Sequence, residues 1–231
     1  MASNHNRWCF AWFQNPAVSE GGQSRAALAK NYKWKPHERI LTISFLDGDP
    51  QVQKRVQKAA QGWLGPNLAN VRFSFRENTT DTLIRISFRY PGSWSTIGTT
   101  CRQVPKGEPT MNFGWLEPDS PDDEVDQVVL HEFGHALGLI HEHQNPGGDI
   151  KWNRKAVMDD LHSDPDNWTD AEIEHNVFEA YSKRETNFTA LDPKSIMMYP
   201  IPPGWTTDGF SVDLNTKLSD QDKRFIHQQY K

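Results

Sequence analysis

The order of apolar and polar positions divides the chain into segments of two periods. Residues 40–46, Ile-Leu-Thr-Ile-Ser-Phe-Leu, are β-branched and aromatic nearly throughout and predict a buried strand. Asp47-Gly48 turns the chain, and Asp49 is placed to cap a helix with Pro50 at its first position. Val52, Val56, Ala59, Ala60 and Trp63 then recur at helical spacing, and Gly65-Pro66 ends that amphipathic helix. Residues 71–75 alternate and predict a half-buried strand, and residues 83–88 predict another. Residues 90–108 carry Pro91, Gly92, Gly98, Pro105 and Gly107 and read as loop, before a last candidate strand over 110–115. Strand, helix, strand, strand gives an α+β lobe: a small mixed sheet with helices on one side.

The second half reads as helices joined by irregular chain. Ser120 is placed as an N-cap, Pro121 as the first helical residue and Asp123 as the closing residue of a capping box. The acidic run over 117–126 suits the positive end of that helix better than it suits a metal. Along the helix, Val125, Val128, Val129, Phe133 and Ala136 share one face, and His131 and His135 lie roughly opposite with Glu132 beside them. Residues 143–148 form a loop, residues 154–161 a helix, and residues 169–181 another opened by Thr169 and Glu172. A last helix starts at Ser219 with Asp222 and runs through Phe225, Ile226 and Tyr230.

Composition narrows the class. A chain of 231 residues with nine Trp and twelve Phe makes one domain with a substantial core. The net charge of −5 and the lack of a basic stripe leave no electrostatic footprint for nucleic acid. No apolar run approaches the ~20 residues that span a bilayer. Cys9 and Cys101 make no disulfide framework, whether they pair or stay as thiols. Residues 1–20 lack the basic start, apolar core and small-residue cleavage site of a signal peptide. Glycosylation-type triplets begin at Asn78, Asn167 and Asn187 and matter only in a eukaryotic secretory pathway.

The chemistry is concentrated in residues 131–142, His-Glu-Phe-Gly-His-Ala-Leu-Gly-Leu-Ile-His-Glu. His131 and His135 at i and i+4 place two imidazoles on one helix face, one turn apart, as two corners of a zinc tetrahedron. Gly138 can take a positive φ, end the helix and let the chain bring His141 back as a third ligand. His143 is a rival, but the spacing from Gly138 favours His141 and leaves His143 on the cleft wall or the surface. Three protein ligands leave one coordination position open, as a catalytic zinc needs.

The extended H-E-x-x-H-x-x-G-x-x-H stretch resembles the metzincin zinc endopeptidases, and Glu142 directly after the third histidine narrows the resemblance to astacin-like enzymes. Ser195-Ile196-Met197-Met198-Tyr199 is similar to the astacin Met-turn, with Met198 where astacins often carry His. The resemblance implies a metzincin fold: a small mixed twisted sheet with two long helices in an N-terminal lobe, a zinc cleft, and a mostly irregular and helical C-terminal lobe. It covers residues 33–231, with residues 1–32 as an N-terminal arm or a latency segment. In the latter case the Cys9 thiolate could occupy the open zinc position; the arm is the plainer expectation.

The resemblance further implies one Zn²⁺ per chain on His131, His135 and His141, with Met197 beneath the site and Tyr199 as an additional, movable ligand. The expected activity is hydrolysis of peptide bonds in proteins or peptides by a Glu132-assisted, zinc-bound water. Tyr199 would donate a hydrogen bond to the oxyanion. Residues 110–114 are expected to be the sheet edge that pairs with an extended substrate. In mature astacins the residue equivalent to Glu142 bridges to a new N-terminus. The same resemblance favours secretion, and a monomer is the expected working unit. A zinc-binding relative without activity, or an enzyme acting on a non-peptide amide or ester, is the competing class.

Overall fold

The computed structural model describes residues 9–11, 32–163, 167–180 and 189–231, with the main chain alone for 9–11. In chain order the elements are β1 (Cys9–Ala11), β2 (Ile40–Phe45), α1 (Pro50–Ala60), β3 (Arg72–Phe75), β4 (Ile84–Ser87), β5 (Ser93–Ser95) and β6 (Met111–Phe113). They continue with α2 (Asp122–Ala136), α3 (Arg154–Leu161), α4 (Asp170–Ile173) and α5 (Asp220–Tyr230). No helix among the described residues is long and apolar enough to cross a membrane.

The six strands form one mixed sheet in the order β1-β5-β6-β4-β2-β3. β2 pairs parallel with both β3 and β4, and β4 pairs parallel with β6. β5 runs antiparallel to β6, with Ser93 opposite Phe113 and Ser95 opposite Met111. β1 then adds to the far side of β5 in parallel, Cys9 opposite Ser93. This overturns the expectation that residues 110–114 form the sheet edge. β6 is flanked on both sides, because the Ser-Trp-Ser stretch inside the predicted loop supplies a strand of its own. The three residues Ser93–Ser95 are too short a run to show strand periodicity.

α1 packs along α2 on the sheet. Asp49 caps α1 through the Gln51 amide, as its position predicts, with Pro50 at the first turn. α2 starts differently from the expectation. It has no side-chain cap: the Ser120 hydroxyl accepts the Glu117 amide instead, and Pro121 is the cap residue. Arg55 of α1 ties this end down, donating to Ser120 O and to the Asp122 carboxylate. From Val128 to Ala136 the helix is buried all round, so its histidine face is enclosed as well as its apolar face.

Two apolar cores result. The larger lies between the sheet, α1, α2 and α5 and contains Trp34, Leu41, Trp63, Phe133, Met197 and Tyr230. The smaller joins α3 and α4 to the chain around Trp205 and contains Leu161, Trp168, Ile173, Met198, Tyr199 and Trp205. Residues 169–180 do not form one regular helix, and residue 181, the expected end, lies outside the described residues. The Thr169–Glu172 capping box forms and opens α4, which then widens into a π-helical turn over Glu174–Phe178.

Candidate metal centre

α2 carries the first two histidines and its end sets the third. Gly138 has φ +94°, the left-handed conformation that suits glycine. Its amide donates to His135 O at 2.8 Å, and the Leu139 amide donates to Gly134 O at 3.0 Å, the paired bonds of a Schellman turn. The remaining carbonyls at this end are filled from the larger core: Trp34 Nε1 donates to Ala136 O and the Tyr230 hydroxyl to Leu137 O. The turn sends the chain back across the helix and delivers His141.

The three rings converge. One nitrogen from each of His131, His135 and His141 lies within 4.8 Å of the others, and all three residues are buried. The tautomers of the two on α2 are set by main-chain acceptors. His131 Nδ1 donates to Ile196 O at 2.8 Å and His135 Nδ1 donates to Leu139 O at 2.9 Å. Each Nε2 therefore carries a lone pair. His135 Nε2 lies 3.1 Å from His141 Nε2, and His131 Nε2 is buried with no hydrogen-bond partner.

Burial drives the His131 pKa down to about 4 and that of His135 to about 3, the latter helped by His131 nearby. Burial lowers His141 well below its usual value too. At neutral pH these are three neutral imidazoles aimed at one point, a donor set that suits zinc and other borderline transition metals rather than magnesium or calcium. An empty cluster of this kind would leave a buried polar nitrogen unsatisfied; a divalent cation satisfies it.

Glu132 is fully buried, next to His131 on α2. Beneath the rings runs the turn over residues 195–199, whose successive side chains go to different cores. Ile196 and Met197 enter the larger core, and Met198 and Tyr199 the smaller. Met198, where astacins often carry His, is buried in the smaller core. The Tyr199 ring lies 4.3 Å from the His141 ring and 6.3 Å from that of His131, centroid to centroid. Glu142 N donates to Met197 O at 2.9 Å and ties this turn to the end of the histidine stretch.

His143 is not on the surface. It is buried, its Nε2 donates to Asn176 O at 2.8 Å, and its ring lies 4.5 Å from that of Tyr199. The neighbouring Gln144 donates to His175 O. Both acceptors lie in the π-helical turn, where the widened bonding pattern redirects main-chain carbonyls. Glu142 accepts from the Asn145 side chain and the Asp192 amide, and burial raises its pKa to about 7.

Asp222 was legible in the sequence only as a helix cap. In the fold its carboxylate also accepts from the Ser195 hydroxyl at 2.7 Å and from the Ile196 amide at 2.8 Å. Cys101 is a free, buried thiol whose pKa burial pushes up to about 12, which leaves it inert. The Cys9 side chain lies outside the described residues, as does Asn187.

Comparison with known proteins adds an independent line. The sequence pattern of the Astacin peptidase family matches residues 27–202. Among solved structures, one described as the structure of myroilysin is 40% identical with a TM-score of 0.83, covering 88% of this chain and 97% of that one. A crystal structure of myroilysin is 36% identical with a TM-score of 0.69, covering 97% of this chain and 90% of that one. No curated protein sequence matches the chain significantly.

Proposed function

The chain belongs to the astacin family of peptidases, and from that premise we propose that Glu132 and Tyr199 carry out peptide-bond hydrolysis beside one Zn²⁺ held by His131, His135 and His141. The family makes it a zinc metalloendopeptidase whose substrates are proteins or peptides. The observation that carries the residue assignment is the convergence of three buried, neutral imidazoles, two of which have their outward nitrogens fixed by Ile196 O and Leu139 O. Main-chain acceptors on ligand histidines orient the rings and raise their basicity. When bound, zinc supplies a Lewis acid that acidifies water and polarises the scissile carbonyl.

Glu132, buried beside His131, takes a proton from the attacking water as general base and returns it to the leaving amine. Tyr199, packed against His141, would be an additional residue able to hold the metal, and its hydroxyl would donate a hydrogen bond to the oxyanion. One such donor is worth ~3–4 kcal/mol in the transition state. Secretion is proposed on family resemblance alone, and a single chain is proposed as the working unit.

Residues 1–32 are proposed as a separate arm on a catalytic domain of residues 33–231. In support, β1 lies on the outer edge of β5, where an extended peptide would otherwise pair. Arm and substrate then compete for one row of main-chain groups.

Glu132→Gln tests the mechanism. Zinc content should stay near one per chain while casein hydrolysis collapses by about two to four orders of magnitude, the usual range for loss of a general base. Retained hydrolysis in that variant overturns the role given to Glu132.

A further inference from the structure

We propose that Asp222 is a positioning residue for His131, acting through the main chain of Ile196. The inference rests on the reading of His131 as a zinc ligand. Asp222 is the third residue of α5, and its capping box with Ser219 is complete: Ser219 Oγ accepts the Asp222 amide at 2.9 Å and Asp222 Oδ2 accepts the Ser219 amide at 2.9 Å. A cap needs nothing more. Asp222 nevertheless takes two further donors from a segment far away in sequence, the Ser195 hydroxyl and the Ile196 amide.

Ile196 is held at both of its main-chain groups. Its amide donates to Asp222, and its carbonyl accepts the Nδ1 proton of His131. Moving the Ile196 amide therefore moves the acceptor that fixes the His131 ring. Ser195 adds a second arm, because its hydroxyl donates to Asp222 and accepts the Met197 amide at 3.1 Å.

The capping box of α4 supplies an internal comparison. Glu172 closes its box with Thr169 on an exposed turn, and its carboxylate bonds stay within that box. Asp222 is 7% exposed. A cap alone gains nothing from that burial, since the charged form of a carboxylate is costly to bury without several donors. Three donors converge on it, and two of them belong to the turn beneath the metal site. At the far end of the same helix, Tyr230 bonds Leu137 O at the end of α2, so α5 braces both the helix that carries His131 and the turn that orients it.

The test is the zinc Kd of the purified full chain, measured by competition with a chromophoric chelator, together with thermal unfolding of the zinc-free protein. Asp222→Ala should raise the zinc Kd about tenfold or more, the usual cost of losing an outer-shell partner. Asp222→Asn keeps an oxygen for the Ile196 amide and should recover most of that affinity. Ser219→Ala removes the cap but leaves the carboxylate on Ile196; it should lose thermal stability and keep its zinc Kd.

A zinc Kd for Asp222→Ala within about twofold of the parent, with stability lost, overturns the proposal. So does a Ser219→Ala variant that weakens zinc as much as Asp222→Ala does. If Asp222→Ala does not fold, Ser195→Ala decides: a severalfold rise in zinc Kd supports the role, and an unchanged Kd overturns it. His131→Ala separates the ligand assignment from the positioning role. If it leaves zinc affinity intact, the ligand assignment has failed; if it abolishes binding while Asp222→Ala has no effect, only the positioning role has.

Discussion

Gly134 and Met197 are packed so closely that a β-carbon built on Gly134 would lie 2.4 Å from the Met197 sulfur. A side chain at this position, between the two histidines of α2, would have to displace the buried Met197 side chain of the turn. Glycine in a helix interior ordinarily costs ~1 kcal/mol relative to alanine. Gly134→Ala should reverse that sign, lowering stability by about 1–3 kcal/mol through overpacking, and should weaken zinc retention as Met197 is displaced. Thermal unfolding with and without a chelator measures both. A rise in melting temperature would show that Met197 moves aside without cost.

Tyr199 is assigned to the transition state rather than to ground-state binding. Tyr199→Phe should lower kcat by about 10²–10³ with a smaller change in KM. Steady-state kinetics on a peptide substrate reads the split. A raised KM with kcat preserved would make Tyr199 a substrate-binding residue instead.

Glu142 should leave a mark on the pH dependence of stability. Its folded pKa of about 7 stands above the ordinary 4.5, with burial the largest cause. Between those values the folded protein keeps a proton that the unfolded chain has released, so stability falls as pH rises from 4.5 to 7. The whole effect is at most about 3 kcal/mol. Glu142→Gln can keep the acceptor for Asn145 and Asp192 while removing the charge. It should abolish this slope and be more stable than the parent at pH 8. Denaturant titrations at pH 5, 6, 7 and 8 measure it; parallel slopes in the two proteins would place the titration elsewhere.

Removing residues 1–31 exposes the outer edge of β5. If the arm competes with substrate there, kcat/KM for a protein substrate should rise severalfold, chiefly through KM. Loss of thermal stability with kcat/KM unchanged would make the arm a packing element alone.

Much of this site was readable from local chemistry. The spacing of His131 and His135 needs only a helix, and the exit at Gly138 needs only one positive φ, so both are carried by consecutive residues. The capping boxes at Ser219 and Thr169 formed as their sequences predict, and so did the cap at Asp49, for the same reason. The box expected at Ser120 did not form, because Glu117 claims its groups: the Glu117 amide donates to the Ser120 hydroxyl, and the Ser120 amide donates to Glu117 O. That competition is between two local turns that use the same hydroxyl and amide, and hydrophobic spacing does not choose between them.

The sequence by itself determined which side chains carry ligand chemistry at the right intervals, because residue type and helical spacing are local properties. Only the tertiary structure decided what holds them in place. The tautomer of His131 depends on Ile196 O, the packing of Gly134 on Met197, and the fate of the sheet edge on a three-residue strand whose pairing partners lie elsewhere. Each of these is a contact between segments remote in sequence, and hydrophobic periodicity carries no information about which remote segments meet.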